Sequence, residues 1–85
     1  MKKEFVIDLK GVKGAKALQN AIAENLPVPE HYGRNLDAFY DMLTEYGADW
    51  RIVFLNAQRV GESFKAVCRD AKEATPGLEI VFGTE

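Results

Sequence analysis

The segment Trp50–Leu55 constrains the fold more than any other part of the sequence. Five of its six residues are apolar, Gly47 precedes it and a polar connection from Asn56 follows it. Nearly continuous apolar runs of this length are typical of a central strand that is covered on both faces, as in parallel sheets. Two further segments fit strands: in residues 5–9, Phe5, Ile7 and Leu9 alternate with Val6 and Asp8, and residues 78–82 form a last short strand.

The segments between these three strands have apolar residues at helical spacing, which predicts helices there. Pro27 and Pro29 end the first predicted helix, Asn35 is a suitable N-cap for the second, and Pro76 with Gly77 ends the third. Apolar residues recur at helical spacing in each: Ala15, Leu18, Ile22 and Leu26; then Leu36, Phe39, Tyr40 and Leu43; then Phe64, Val67, Cys68 and Ala71.

The order strand, helix, helix, strand, helix, strand predicts the fold class. Strands separated by helices form parallel sheets with right-handed crossovers. We therefore expect an α/β fold in which a three-stranded parallel sheet packs with three to four helices, the fourth being a helical turn between Asn56 and Gly61. At 85 residues, the chain is expected to form a single domain over residues 1–85.

Composition limits the cellular setting and the classes of partner. The single cysteine, Cys68, excludes an internal disulfide, which small secreted domains usually need, and residues 1–9 do not resemble a signal peptide. We therefore predict a cytoplasmic protein that is a monomer when free. The net charge of −2 and pI near 5.4 disfavour a nucleic-acid binder, and no stretch is long enough to cross a membrane.

The second helix carries two aspartates where helix energetics favour only one. Asp37 and Asp41 are four residues apart, so they lie on one face and repel each other. Asp37 is in the first turn, where the helix dipole favours an anion, whereas Asp41 is in the middle of the helix. Aromatic residues beside carboxylates at a helix surface resemble a protein-interface hot spot; here they are His31, Tyr32, Tyr40 and Tyr46.

The same residues are compatible with three further roles. Two exposed aspartates most often belong to a solvated helix face. A catalytic carboxylate pair would need a partner base or a phosphate-binding glycine loop, and the sequence offers neither. A hard-metal site could be drawn from His31, Asp37 and Asp41, but their spacing matches no known ligand pattern. We therefore predict no catalytic residue, no metal, no cofactor and no enzymatic activity.

The segment from Leu26 to Thr44 resembles the barstar family of intracellular ribonuclease inhibitors. Its residues 32–44 fit the family pattern YG-x-NLDA-xx-D-x-LT. The match extends more loosely to the whole chain without large gaps, although the connection 56–61 is shorter than in the best-known member. The resemblance implies a barstar-like fold and an immunity protein that blocks the basic active site of a secreted ribonuclease with an acidic helix and the adjacent loop. An alternative is a barstar-like binding module for a different basic toxin or regulatory partner.

The resemblance also implies which residues contact the partner. Asp41 matches the family's central inhibitory acid, Asp37 the preceding acid and Asp70 the acid on the last helix. Several positions depart from the best-known member, and these departures concern partner choice: His31, Tyr40, Glu45, Tyr46 and Asp70. The remaining expected contacts are Tyr32, Gly33, Asn35, Leu36, Thr44 and Val67.

Overall fold

The computed structural model describes residues 1–83, so the last two residues of the predicted domain lie outside the described part. Its three strands form one parallel sheet in the order β1-β2-β3, and three α-helices pack with it, as predicted. The elements are β1 (Lys3–Asp8), α1 (Gly14–Asn25), α2 (Leu36–Tyr46), a short 3₁₀ turn (Gly47–Asp49), β2 (Trp50–Leu55), α3 (Glu62–Ala74) and β3 (Glu79–Gly83).

Only one face of the sheet is fully buried, so the prediction that β2 is covered on both faces is wrong. Trp50, Ile52 and Phe54 are buried, while the residues that alternate with them are half-buried. On the second face, Val6 of β1 remains 51% exposed and Val81 of β3 remains 37% exposed. The topology explains this, because two right-handed crossovers that advance in the same direction place their helices on the same face of the sheet.

The connection from residue 56 to residue 61 is a turn and contains no helix, which corrects the expected fourth helical segment. The turn is closed by a hydrogen bond from the Val60 amide to the Ala57 carbonyl at 3.4 Å. The other elements lie within one to two residues of their predicted positions. Met42 is buried although the predicted stripe of α2 omitted it, because that helix packs against its neighbours over a wider arc.

Stacked aromatic rings fix α2 against α3. The rings of Phe39 on α2 and Phe64 on α3 are stacked with centroids 5.2 Å apart, and Phe64 meets Phe54 of β2 edge-on at 5.4 Å. Aromatic pairs of this kind contribute about 0.5–1.5 kcal/mol beyond their buried area. The inner side of α2 is therefore anchored to both α3 and the sheet, and its outer side is held in one orientation.

Candidate protein-binding surface

Helix α2 is well defined at both ends. Asn35 accepts a hydrogen bond from the Ala38 amide through its side-chain oxygen at 2.8 Å, which confirms the predicted N-cap. The amide of Gly47 donates to the Leu43 carbonyl and ends the helix. Phe39, Met42 and Leu43 bury the inner side, so the remaining positions face away from the core on a fixed frame.

The outer side of α2 carries an acidic stripe, which we define as Asp37, Asp41 and Glu45. All three residues are exposed and follow each other at intervals of four, which places successive Cβ atoms about 5–6 Å apart. None of the three forms an ion pair with another residue in the range 1–83. Helix α2 contains no basic residue, so it carries a charge of −3 in a chain whose net charge is −2.

The energetics of the helix do not explain this stripe. Each of its two neighbouring pairs is repulsive, at a cost of a few tenths of a kcal/mol. Only Asp37 lies where the helix dipole favours an anion, whereas Glu45 is in the last turn, where the dipole disfavours one. The carboxylate of Glu45 also raises the pKa of the Tyr46 hydroxyl, through a hydrogen bond and through its charge. The stripe is therefore a concentration of unpaired negative charge that folding itself does not require.

The aromatic and hydroxyl side chains expected at the contact surface differ in exposure. Tyr46 is half exposed, whereas Tyr40 and Leu36 are half-buried and pack against the core. The Thr44 hydroxyl donates to the Tyr40 carbonyl at 3.0 Å. These side chains border the acidic stripe, and Tyr40 and Leu36 also support the helix from the side.

The loop before α2 is held by α1. The hydroxyl of Tyr32 donates to Oε1 of Gln19 at 2.5 Å, and burial raises the pKa of this hydroxyl to about 12. Arg34 donates to Oδ1 of Asn20, also on α1. Gly33 is exposed, but a Cβ atom there would lie only 3.3 Å from Cβ of Ala38, which leaves little room for any other residue.

The last two expected contacts lie on α3. Val67 is half-buried and Asp70 is exposed one turn later, while Cys68 and Ala71 face the core. Burial raises the pKa of the Cys68 thiol to about 12, in keeping with its place on the predicted apolar stripe of this helix. Since α3 packs against α2, Asp70 lies on a neighbouring helix; however, no hydrogen bond or ion pair within residues 1–83 joins it to the acidic stripe.

Sequence reasoning missed the residues that hold the loop. Periodicity places Gln19 and Asn20 on the polar side of α1, yet Gln19 is only 4% exposed. Arg34 adopts a left-handed backbone conformation with φ of 54°, which non-glycine residues seldom adopt. The periodicity of the sequence could not link Gln19, Asn20 and Arg34, because each forms its hydrogen bond with a residue about 14 positions away on another element.

The chain matches a known protein family over nearly its whole length. The family model described as Barstar (barnase inhibitor) covers residues 2–83. Over residues 1–83, no three His, Cys, Asp or Glu side chains are grouped so that they could hold a metal ion. None of the helices in that range is long and apolar enough to span a membrane.

Proposed function

The chain belongs to the barstar family, and from this premise we propose that it inhibits a basic secreted ribonuclease by inserting the acidic stripe of α2 into its active site. The observation that carries the proposal is the stripe itself: three exposed carboxylates on one helix face, without ion pairs among the described residues. The protein would act by binding and not by catalysis.

The chemistry of the target explains why carboxylates suit this task. A ribonuclease active site must bind a phosphodiester, so it presents arginine, lysine and histidine donors. A carboxylate accepts charge-assisted and often bidentate hydrogen bonds from these donors. Asp41 has an acid one turn away on each side, so it would occupy the phosphate position while Asp37 and Glu45 extend the negative field.

The frame of the site supports tight binding. The capped helix, the aromatic stack beneath it and the hydrogen bonds from Tyr32 and Arg34 to α1 fix the surface before the partner arrives. A surface that is already ordered loses less conformational entropy on association. The loop residues His31, Gly33 and Asn35 and the α3 residues Val67 and Asp70 would surround the central contact.

The proposal is tested by a ribonuclease activity assay with a barnase-type enzyme, with and without the protein. We expect stoichiometric inhibition by the wild-type chain and a large loss of inhibition for Asp41→Ala. Glu24→Ala on α1 is the matched control, because it removes another exposed helix carboxylate and should inhibit like the wild type. Equal inhibition by both variants would contradict a role for the acidic stripe.

A different basic protein partner is the second candidate. The five departures from the best-known family member lie in the expected contact surface, and they favour a target whose shape differs from barnase. This candidate predicts that the chain leaves barnase-type enzymes active but binds another basic toxin or regulatory protein through the same stripe. In either case we propose a cytoplasmic location, where an immunity protein would protect the RNA of the producing cell.

A further inference from the structure

A pocket of about 680 Å³ lies at the ends of the strands, apart from the acidic stripe. Leu9 follows β1 directly and Asn56 follows β2, and both residues line the pocket. Most of the remaining lining comes from the first two turns of α1, from the loop and first residue at the start of α2, and from residues 59–64, which include the first turn of α3. A volume of this size is typical of small-molecule sites.

The lining of the pocket is mainly apolar. Leu9, Val12, Leu18, Val60 and Phe64 contribute to it from four different segments of the chain. Leu9, Leu18 and Phe64 also belong to the buried core, so this wall is fixed by the fold. The pocket therefore offers a stable apolar surface to the body of a small molecule.

Among residues 1–83, the charged groups that line the pocket are all positive. They are Lys16, Arg34 and Arg59, and no aspartate or glutamate in that range lines the pocket. Within residues 1–83 none of these three cations forms an ion pair. Arg34 donates to the neutral amide oxygen of Asn20, which leaves its charge uncompensated. In a chain of net charge −2, this is a local excess of positive charge.

Two further features favour an anion at this place. Gln19 lines the pocket and is 4% exposed; its oxygen accepts from Tyr32, but its amide nitrogen donates no hydrogen bond to the described residues. Helix α1 has no acidic residue in its first turn and no side-chain cap, and Lys13 and Lys16 occupy that end. Cations at the positive end of a helix dipole are unfavourable, and a bound anion would offset them.

We propose that this pocket binds a small free molecule with an apolar body and a single negative charge, of the alkyl carboxylate class. The alkyl chain lies against the apolar wall, and the carboxylate meets Arg34 and Arg59 at the rim. A neutral apolar ligand would leave the cations uncompensated, and a multiply charged ion such as free phosphate would leave the wall unused. The pocket shares Asn35 and Leu36 with the expected contact surface, but binding of the small molecule requires no ribonuclease and is measured on the free chain.

The test is an NMR titration of the full chain with decanoate, in the absence of any ribonuclease. We expect saturable amide shifts centred on Val12, Val60 and Phe64, and a dissociation constant clearly lower than that for decanol, which has the same chain without the charge. Replacing Arg34 and Arg59 together by glutamine should weaken decanoate binding by about 100-fold, that is, by about tenfold for each of the two lost charge-assisted contacts. Arg69→Gln, an exposed arginine on α3 outside the pocket lining, is the matched control and should bind like the wild type.

Three results would overturn the proposal. The first is equally tight binding of decanol and decanoate, which would mean that the cations play no part. The second is decanoate shifts centred on the open sheet face around Val6 and Val81. The third is the absence of saturable shifts for the wild-type chain. A urea titration of the double arginine variant shows whether that variant is folded. If it is unfolded, the comparison of decanol with decanoate on the wild-type chain still decides the role of charge.

Discussion

Replacing Asp41 by alanine should strengthen the free protein while it weakens the complex. Asp41 is exposed, has no ion pair among residues 1–83 and has an acid four residues away on each side. Its removal relieves two repulsive pairs, each worth about 0.2–0.5 kcal/mol, and replaces aspartate by the best helix former for a gain of about 0.5 kcal/mol. The free energy of unfolding should therefore rise by about 1 kcal/mol, which raises the Tm of a domain of this size by several degrees.

The complex should change in the opposite direction. Once Asp41 is buried against arginine and lysine, its removal leaves those cations desolvated and unpaired. In protein complexes, including barnase–barstar itself, truncating one partner of a buried charge pair costs about 2–5 kcal/mol or more, mainly through faster dissociation. The dissociation constant should therefore rise by about 30-fold to several thousandfold.

The assay pairs two measurements on the same variant. A urea titration gives the unfolding midpoint of the free chain, and stopped-flow association and dissociation rates give the affinity for the ribonuclease. Glu24→Ala should leave the affinity unchanged, because Glu24 lies on α1 outside the proposed surface. If Asp41→Ala lowers the urea midpoint and leaves the affinity intact, Asp41 is a structural residue and the reasoning is refuted.

The other predictions concern the frame of the site and its electrostatics. Asn35→Ala removes the N-cap of α2 and should lower the free energy of unfolding by about 1 kcal/mol in a urea titration. Cys68→Ala should lower the urea midpoint modestly, because the side chain is buried, without changing ribonuclease inhibition. Folding raises the pKa of Tyr32 from 10.0 to about 12. The contribution of Tyr32 to stability is therefore complete below pH 10 and is lost as the pH rises toward 12. In the Cys68→Ala background, the unfolding free energy should consequently fall less between pH 10 and pH 12 when Tyr32 is replaced by phenylalanine. The rate of association with the ribonuclease should fall as salt is added, while the dissociation rate changes less, because exposed charges are screened beyond about 10 Å at ~0.1 M salt. An association rate that does not depend on salt would contradict electrostatic steering.

The fold could be predicted because its signals are local and strong. The apolar run Trp50–Leu55 indicated the central strand, and the alternation of strands and helices indicated a parallel sheet, as the structure confirms. The open sheet face could not be predicted from the run itself. Val6 and Val81 are β-branched strand formers whether or not a helix covers them, so their exposure follows only from the direction of both crossovers.

The charged residues of the candidate surface could be predicted from the sequence, but the contacts that hold its loop in place could not. Spacing alone placed Asp37 and Asp41 on one helix face, and the family pattern added Asp70 and the loop residues. The contacts that hold the loop, from Tyr32 to Gln19 and from Arg34 to Asn20, join side chains on different elements. Such contacts leave no periodic trace in a sequence, because either partner is compatible with a solvent-exposed position until the chain is folded.

The distribution of charge links the stability of this chain to its proposed function. Helix α2 contributes −3 to a net charge of −2, so the rest of the chain is slightly positive. A more even distribution would stabilise the free protein, since the two repulsive pairs on α2 cost about 0.4–1 kcal/mol together. The buried side of the same helix offsets that cost, because Phe39 and Leu43 are fully buried and burying one such side chain contributes about 1.5–3 kcal/mol. The buried core therefore holds three mutually repulsive carboxylates in fixed positions on α2, and a basic partner relieves that repulsion when it binds. Substitutions that neutralise the stripe should consequently raise stability and lower affinity together, whereas substitutions beneath it should lower both.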